Sequence, residues 1–277
     1  MMEYKEIVVR YIPEDLTLWV SLKPNYRQCF TLTMLQELLD LLYTIDRYGS
    51  SDKDQLQNIK YLVVKSEHHD IYSTGGDLLY FSELVENRDR IKLMEYATKC
   101  IDLIYWAIYG GKRNVTTIAC VAGDALGGGF ETALACQYII AEKKAHFSFP
   151  ETLFGLFPGM GGFTLFSRYV GSTEADRAVC TGKRYSAEDL SERGAIYSLA
   201  NNSEAELETN RFIKTRLLND TANQALRQLK IQQFHDIYDQ LVLNIELWVQ
   251  SAMDLTDYDL RKLQTLVKRQ KRKFLVT

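Results

Sequence analysis

The sequence predicts an α/β fold in which strand, turn and helix repeat through residues 1–200, with a helical region over residues 201–277. Three observations lead there. Short apolar runs such as Tyr61-Leu62-Val63-Val64 and Tyr138-Ile139-Ile140-Ala141 read as buried strands, and segments with apolar residues at three- and four-residue steps lie between them. Glycines stand where a strand must turn into a helix. Beyond about Ser172 the strand-like runs nearly vanish while helical spacing persists.

The first element is a β-hairpin, because Ile7-Val8-Val9 and Leu16-Thr17-Leu18-Trp19-Val20 flank the turn residues Pro13-Glu14-Asp15. Leu32, Leu35, Leu38, Leu39 and Leu42 mark an amphipathic helix that ends before the polar loop Gly49-Ser50-Ser51-Asp52-Lys53-Asp54. After the strand at Tyr61 comes Ser73-Thr74-Gly75-Gly76-Asp77, where the glycines permit an unusual turn and Asp77 can cap a helix beginning near Leu78. Ile91, Met94, Ala97, Ile101, Ile104 and Ile108 keep a helical period up to Gly110-Gly111, and a strand runs through Val115-Thr116-Thr117-Ile118-Ala119-Cys120-Val121. A helix carrying Glu131 is expected to reach about Cys136, with short strands at Tyr138 and at His146-Phe147-Ser148-Phe149. Ala222, Ala225, Leu229, Phe234, Ile237, Leu241, Ile245 and Trp248 then keep helical spacing. No repeat, proline-rich linker or low-complexity tract marks a separate module, so residues 201–277 are expected to pack on the core or on a neighbouring subunit.

Composition excludes several classes. With 46 % hydrophobic residues the chain can bury a large core, and 33 basic against 36 acidic residues leave a net charge of −3, which argues against nucleic-acid binding. No charged segment followed by an apolar stretch opens the chain and nowhere do 18 apolar residues run together, so a cytoplasmic protein without membrane insertion is expected. Cys29, Cys100, Cys120, Cys136 and Cys180 are odd in number and never spaced Cys-x-x-Cys, which points to buried free thiols rather than disulfides or a zinc site.

The most informative residues are Glu131 and Glu151, twenty positions apart and each beside a glycine-marked turn. The first closes Gly123-Asp124-Ala125-Leu126-Gly127-Gly128-Gly129-Phe130-Glu131; the second opens Pro150-Glu151-Thr152-Leu153-Phe154-Gly155-Leu156-Phe157-Pro158-Gly159-Met160-Gly161-Gly162. Carboxylates in such apolar surroundings lose hydration, which raises their pKa into the range of acid and base work. The plainer alternative is a helix cap or salt bridge at Glu131 and a surface turn at Glu151. Gly127-Gly128-Gly129 does not satisfy the Gly-x-Gly-x-x-Gly dinucleotide pattern.

These two segments, with Gly75-Gly76-Asp77, occur in the order that resembles the crotonase, or enoyl-CoA hydratase/isomerase, superfamily over about residues 6–200. The resemblance implies a spiral core of strand-turn-helix units and an oxyanion hole for a thioester carbonyl made by the main-chain N–H groups of Gly76 and Gly128. It implies acid/base roles for Glu131 and Glu151, a combination that favours adding or removing water, since many members with other chemistry lack one of the two. In elimination Glu151 would take the proton alpha to the thioester, and Glu131 would hold the β-hydroxyl and protonate it. No metal or redox cofactor is implied.

More narrowly the same motifs look like the bacterial diffusible signal factor synthases. That branch implies dehydration of a 3-hydroxyacyl chain on acyl carrier protein followed by thioesterase release of a cis-2-unsaturated fatty-acid signal. An enoyl-CoA hydratase acting on CoA thioesters, and a non-catalytic crotonase-like protein regulating a sensor kinase, are the alternatives. No Gly-x-Ser-x-Gly elbow marks a separate serine thioesterase. The resemblance also implies a homotrimer or a hexamer. Phe149, Phe154, Phe157 and Met160 can wall an acyl chain or simply pack the core. His68-His69 reads as solvent-exposed, and the basic run at 268–273 as a solvated helix end or a grip for a carrier's phosphate.

Overall fold

The computed structural model describes residues 3–24, 28–48 and 58–272, so the polar loop expected at 49–54 lies outside the described residues. The hairpin is present: β1 (Ile7–Ile12) pairs antiparallel with β2 (Thr17–Leu22), Ile7 opposite Leu22. The expected leucine-rich helix follows as α1 (Leu32–Tyr48), then β3 (Tyr61–Ser66) and the short β4 (Ile71–Ser73). Helices α2 (Leu78–Glu86) and α3 (Arg90–Tyr109) precede β5 (Thr116–Val121) and β6 (Asp124–Leu126). The α2 start is capped as its sequence requires, Asp77 accepting from the amides of Leu79 and Tyr80.

Helix α4 (Gly128–Ala135) is followed by β7 (Tyr138–Glu142), β8 (His146–Ser148) and a 3-10 turn at Pro150–Phe154. Then come α5 (Gly162–Val170), α6 (Ser172–Thr181), β9 (Tyr185–Ser186), α7 (Ala187–Glu192) and β10 (Ser198–Ala200). The chain closes with α8 (Ala205–Leu217), α9 (Asp220–Gln232), α10 (Ile237–Met253) and α11 (Asp257–Arg272).

Among the described residues two sheets organise these elements. The larger runs β1-β2-β3-β5-β7-β10 and is parallel apart from its hairpin edge; the smaller runs β4-β6-β8-β9. Parallel strands need cover on both faces, which explains runs as apolar as Ile118-Ala119-Cys120-Val121. One face packs under α1, α3 and α4, while Phe212 and Ile213 of α8 cover Val63, Ile118 and Ile140 on the other. Strand β10 was not legible in the sequence; it is three residues long and takes its identity from pairing with β7. The helical spacing from Ala222 to Trp248 is likewise interrupted, because Asp236 adopts φ 59° between α9 and α10. Ile237, Leu241, Ile245, Val249 and Leu263 join the same apolar cluster as the strands and α3. Arg227 of α9 is buried, its guanidinium donating to Gln137 Oε1 at 3.0 Å and to the carbonyls of Tyr109 and Val115.

Candidate active site

Helix α4 is the centre of the site. All eight of its residues are buried, and Phe130 anchors it in an aromatic cluster with Phe147, Phe149 and Phe166 at ring-centroid distances of 5.2, 4.8 and 5.4 Å. Each fully buried ring contributes about 2–3 kcal/mol, so the helix that carries Glu131 is rigidly held.

Glu131 is 1 % exposed, and its Oε1 accepts from the amides of Met160 (2.8 Å) and Gly162 (2.7 Å). These bonds tie the loop after Glu151 back onto α4. They also occupy Oε1, which leaves Oε2 as the oxygen that can carry a proton. Burial, followed by the charge of Glu151, holds the Glu131 pKa well above the ordinary carboxylate range, against the opposing effect of the two amides.

Glu151 sits in the 3-10 turn begun by Pro150. The residue is half-buried, yet its Oε2 is buried and has no hydrogen-bond partner among the described residues. Desolvation pushes its pKa up from 4.5 to about 7, with its own main-chain amide pulling the other way. A raised carboxyl pKa means that ionisation is harder in the folded state, so the contribution of Glu151 to stability is fully present below about pH 4.5 and is lost as pH rises to about 7. Glu151→Gln is therefore expected to be more stable than the parent at pH 8, by roughly 3 kcal/mol, with the gain vanishing toward pH 4.5. Urea unfolding at both pH values checks this; equal gains at the two would refute it.

The two glycine turns meet beside these carboxyls. Phe30 N donates to Gly75 O at 2.8 Å. In a trans peptide the following N–H points opposite to that carbonyl, so the Gly76 amide faces away from Phe30. A methyl on Gly75 would stand 2.9 Å from Gly128 N, and one on Gly128 would stand 3.5 Å from Gly76 N. Among the described residues neither amide donates a hydrogen bond to the protein. Gly128 N also opens α4, where the helix dipole adds positive potential.

Glu131, Glu151, Gly76 and Gly128 all line one mostly apolar cavity. Phe154 and Met160 line it too. Phe149 does not; it is stacked under α4, and Phe157 packs against the core elsewhere. The sequence reading missed Phe81 of α2, Tyr96 and Cys100 of α3, and Ile245 and Trp248 of α10, which complete the wall. Trp248 lies against Gly159, where any side chain would meet its ring, and 5.1 Å from the Phe81 ring. His69 is exposed and His68 half-buried, and no group of three or more His, Cys, Asp or Glu side chains able to hold a metal occurs among the described residues. The side chains of the basic run beyond Lys268 lie outside the described residues.

The family model described as enoyl-CoA hydratase/isomerase matches residues 22–274. The chain belongs to that family. A curated relative, the fatty acid oxidation complex subunit alpha of Pseudomonas entomophila, is 30 % identical over 173 residues, which cover 62 % of this chain and 23 % of that protein. The chain thus spans about a quarter of the length of this larger relative. Among solved structures, an enoyl-CoA hydratase from Bacillus halodurans superposes with a TM-score of 0.76 at 18 % identity, covering 94 % of this chain and 100 % of the other. Pseudomonas aeruginosa DspI superposes at 0.66 with 21 % identity over 99 % and 96 %. The α/β spiral of this hydratase/isomerase-family chain is therefore the family's fold. No helix among the described residues is long and apolar enough to cross a membrane.

Proposed function

We propose that the chain adds water to, or removes it from, an acyl thioester, using Glu131 and Glu151 as an acid/base pair and the Gly76 and Gly128 amides as an oxyanion hole, without a metal or redox cofactor. The observation that carries this reading is the convergence of two carboxyls and two unengaged amides on one apolar cavity. In the dehydration direction the unpartnered Glu151 Oε2 takes the C2 proton of a 3-hydroxyacyl thioester. The electron pair passes onto the thioester oxygen, where the two amides stabilise it; it then returns, breaking the C3–O bond as Glu131 delivers its proton to the departing hydroxyl. Water leaves and the 2-enoyl thioester remains. A pKa near 7 suits Glu151 to accept and return that proton at neutral pH.

A second reading keeps the same site and adds hydrolysis. It is favoured by the motifs at 123–131 and 150–161, which look like those of diffusible signal factor synthases. Thioester hydrolysis places negative charge on the same oxygen and needs only a carboxylate to activate water. Incubation with 3-hydroxyacyl-CoA and with the same acyl group on acyl carrier protein, followed by mass spectrometry, separates the two. Enoyl-CoA formation without free acid supports the hydratase reading, release of a cis-2-enoic acid from the carrier supports the second, and no turnover of either substrate refutes both.

A further inference from the structure

The phenol of Tyr96 stands where a main-chain hydrogen bond would otherwise form. The segment carrying Gly76 runs beside residues 28–30 as a parallel bridge between Phe30 and Gly76. Thr74 N donates to Gln28 O at 2.8 Å and Phe30 N donates to Gly75 O at 2.8 Å. The next rung of a parallel ladder would join Asp77 N to Phe30 O directly. Instead the Tyr96 hydroxyl lies between them, donating to Phe30 O at 2.8 Å and accepting from Asp77 N at 3.1 Å.

We propose that Tyr96 is a positioning residue that holds the Gly76 amide open toward the cavity by spacing Asp77 away from Phe30. The inference rests on the acyl-thioester reading above and adds to it the device that sets one half of the oxyanion hole. Gly76 lies between a peptide pinned at Gly75 O and one held off through the phenol, so its N–H direction is fixed from both sides. The tyrosine is itself immobile: it is 5 % exposed, projects from the long helix α3, and its ring meets Tyr80 edge to face at 5.6 Å. Burial raises its pKa well above the ordinary value, so the phenol stays protonated and keeps donating. Without the hydroxyl, Asp77 N and Phe30 O can close on each other, and Gly76 between them turns out of line.

Tyr96→Phe tests this. Three quantities are compared with the parent: turnover of crotonyl-CoA, affinity for acetoacetyl-CoA, whose enolate places charge in the hole, and affinity for butyryl-CoA, which is uncharged at the carbonyl. The expected result is a fall in kcat of roughly 10- to 100-fold and a comparable loss of acetoacetyl-CoA affinity, with its bound enolate absorbance reduced. Butyryl-CoA affinity should stay within about threefold, because ground-state binding uses the apolar wall. Parent-like kcat and acetoacetyl-CoA affinity overturn the role of Tyr96, and so does an equal loss for both ligands. A parent protein that neither hydrates crotonyl-CoA nor prefers acetoacetyl-CoA to butyryl-CoA overturns the acyl-thioester reading instead.

Discussion

Glu151→Gln is expected to lower kcat by roughly 100- to 10,000-fold while the protein stays folded, as loss of a general base does. The Glu151 Oε2 is buried at the cavity and has no hydrogen-bond partner among the described residues, so its replacement breaks no hydrogen bond between them. Glutamine keeps the shape and removes the basicity. Glu131→Gln should lower kcat by a similar factor, since an amide cannot deliver the proton. The two positions part company on truncation. Glu131→Ala leaves the amides of Met160 and Gly162 without their acceptor, at about 1–3 kcal/mol for each buried donor, whereas Glu151→Ala takes an acceptor only from its own main-chain amide. Steady-state kinetics with circular dichroism and thermal melts decides the matter. Turnover within threefold of the parent in either glutamine variant would remove that carboxyl from the mechanism.

Gly127→Ala should be nearly as damaging, for a different reason. Gly127 sits at φ 54°, ψ −126°, a conformation that L side chains rarely adopt, and an added Cβ would lie 2.3 Å from Glu151 Oε1. Strain of about 1–3 kcal/mol is expected in stability. The carboxyl must also move, and a displacement near 1 Å can cost about 100-fold in kcat. Gly171→Ala is the control: Gly171 is also at positive φ, 78°, but nothing lies within 4 Å of its added Cβ. It should lose similar stability and keep its activity. If Gly127→Ala and Gly171→Ala behave alike in turnover, the carboxyl does not occupy the place that the structure gives it.

The parts of the site that were readable from the residues are the local ones. Asp77 caps α2 because a carboxylate before an apolar helical run can reach the amides two and three residues on. The glycines before Glu131 mark a strand-to-helix turn because only glycine takes the backbone angles of Gly127 cheaply. Phe149 shows where such reading leaves two outcomes open. It borders the Glu151 segment, yet its ring stacks on Phe130, 4.8 Å away, beneath α4. Next to a motif, sequence distance of one or two residues does not say which side of the chain a ring will take.

The turn chemistry, the buried strand runs and the pair of glutamates beside their glycines were written in residue order, because each depends on neighbours a few positions away. The closing of the cavity was not. Tyr96 reaches Phe30 across 66 positions, and Trp248 meets Gly159 from a helix nearly ninety residues further on. Helical periodicity says that Ile245 and Trp248 lie near one face of α10, but the packing of α10 against α3 is what turns that face into a wall of the cavity. The raised carboxyl pKa values have the same origin. They come from water excluded by residues distant in the chain, a property of the assembled interior that no local pattern carries.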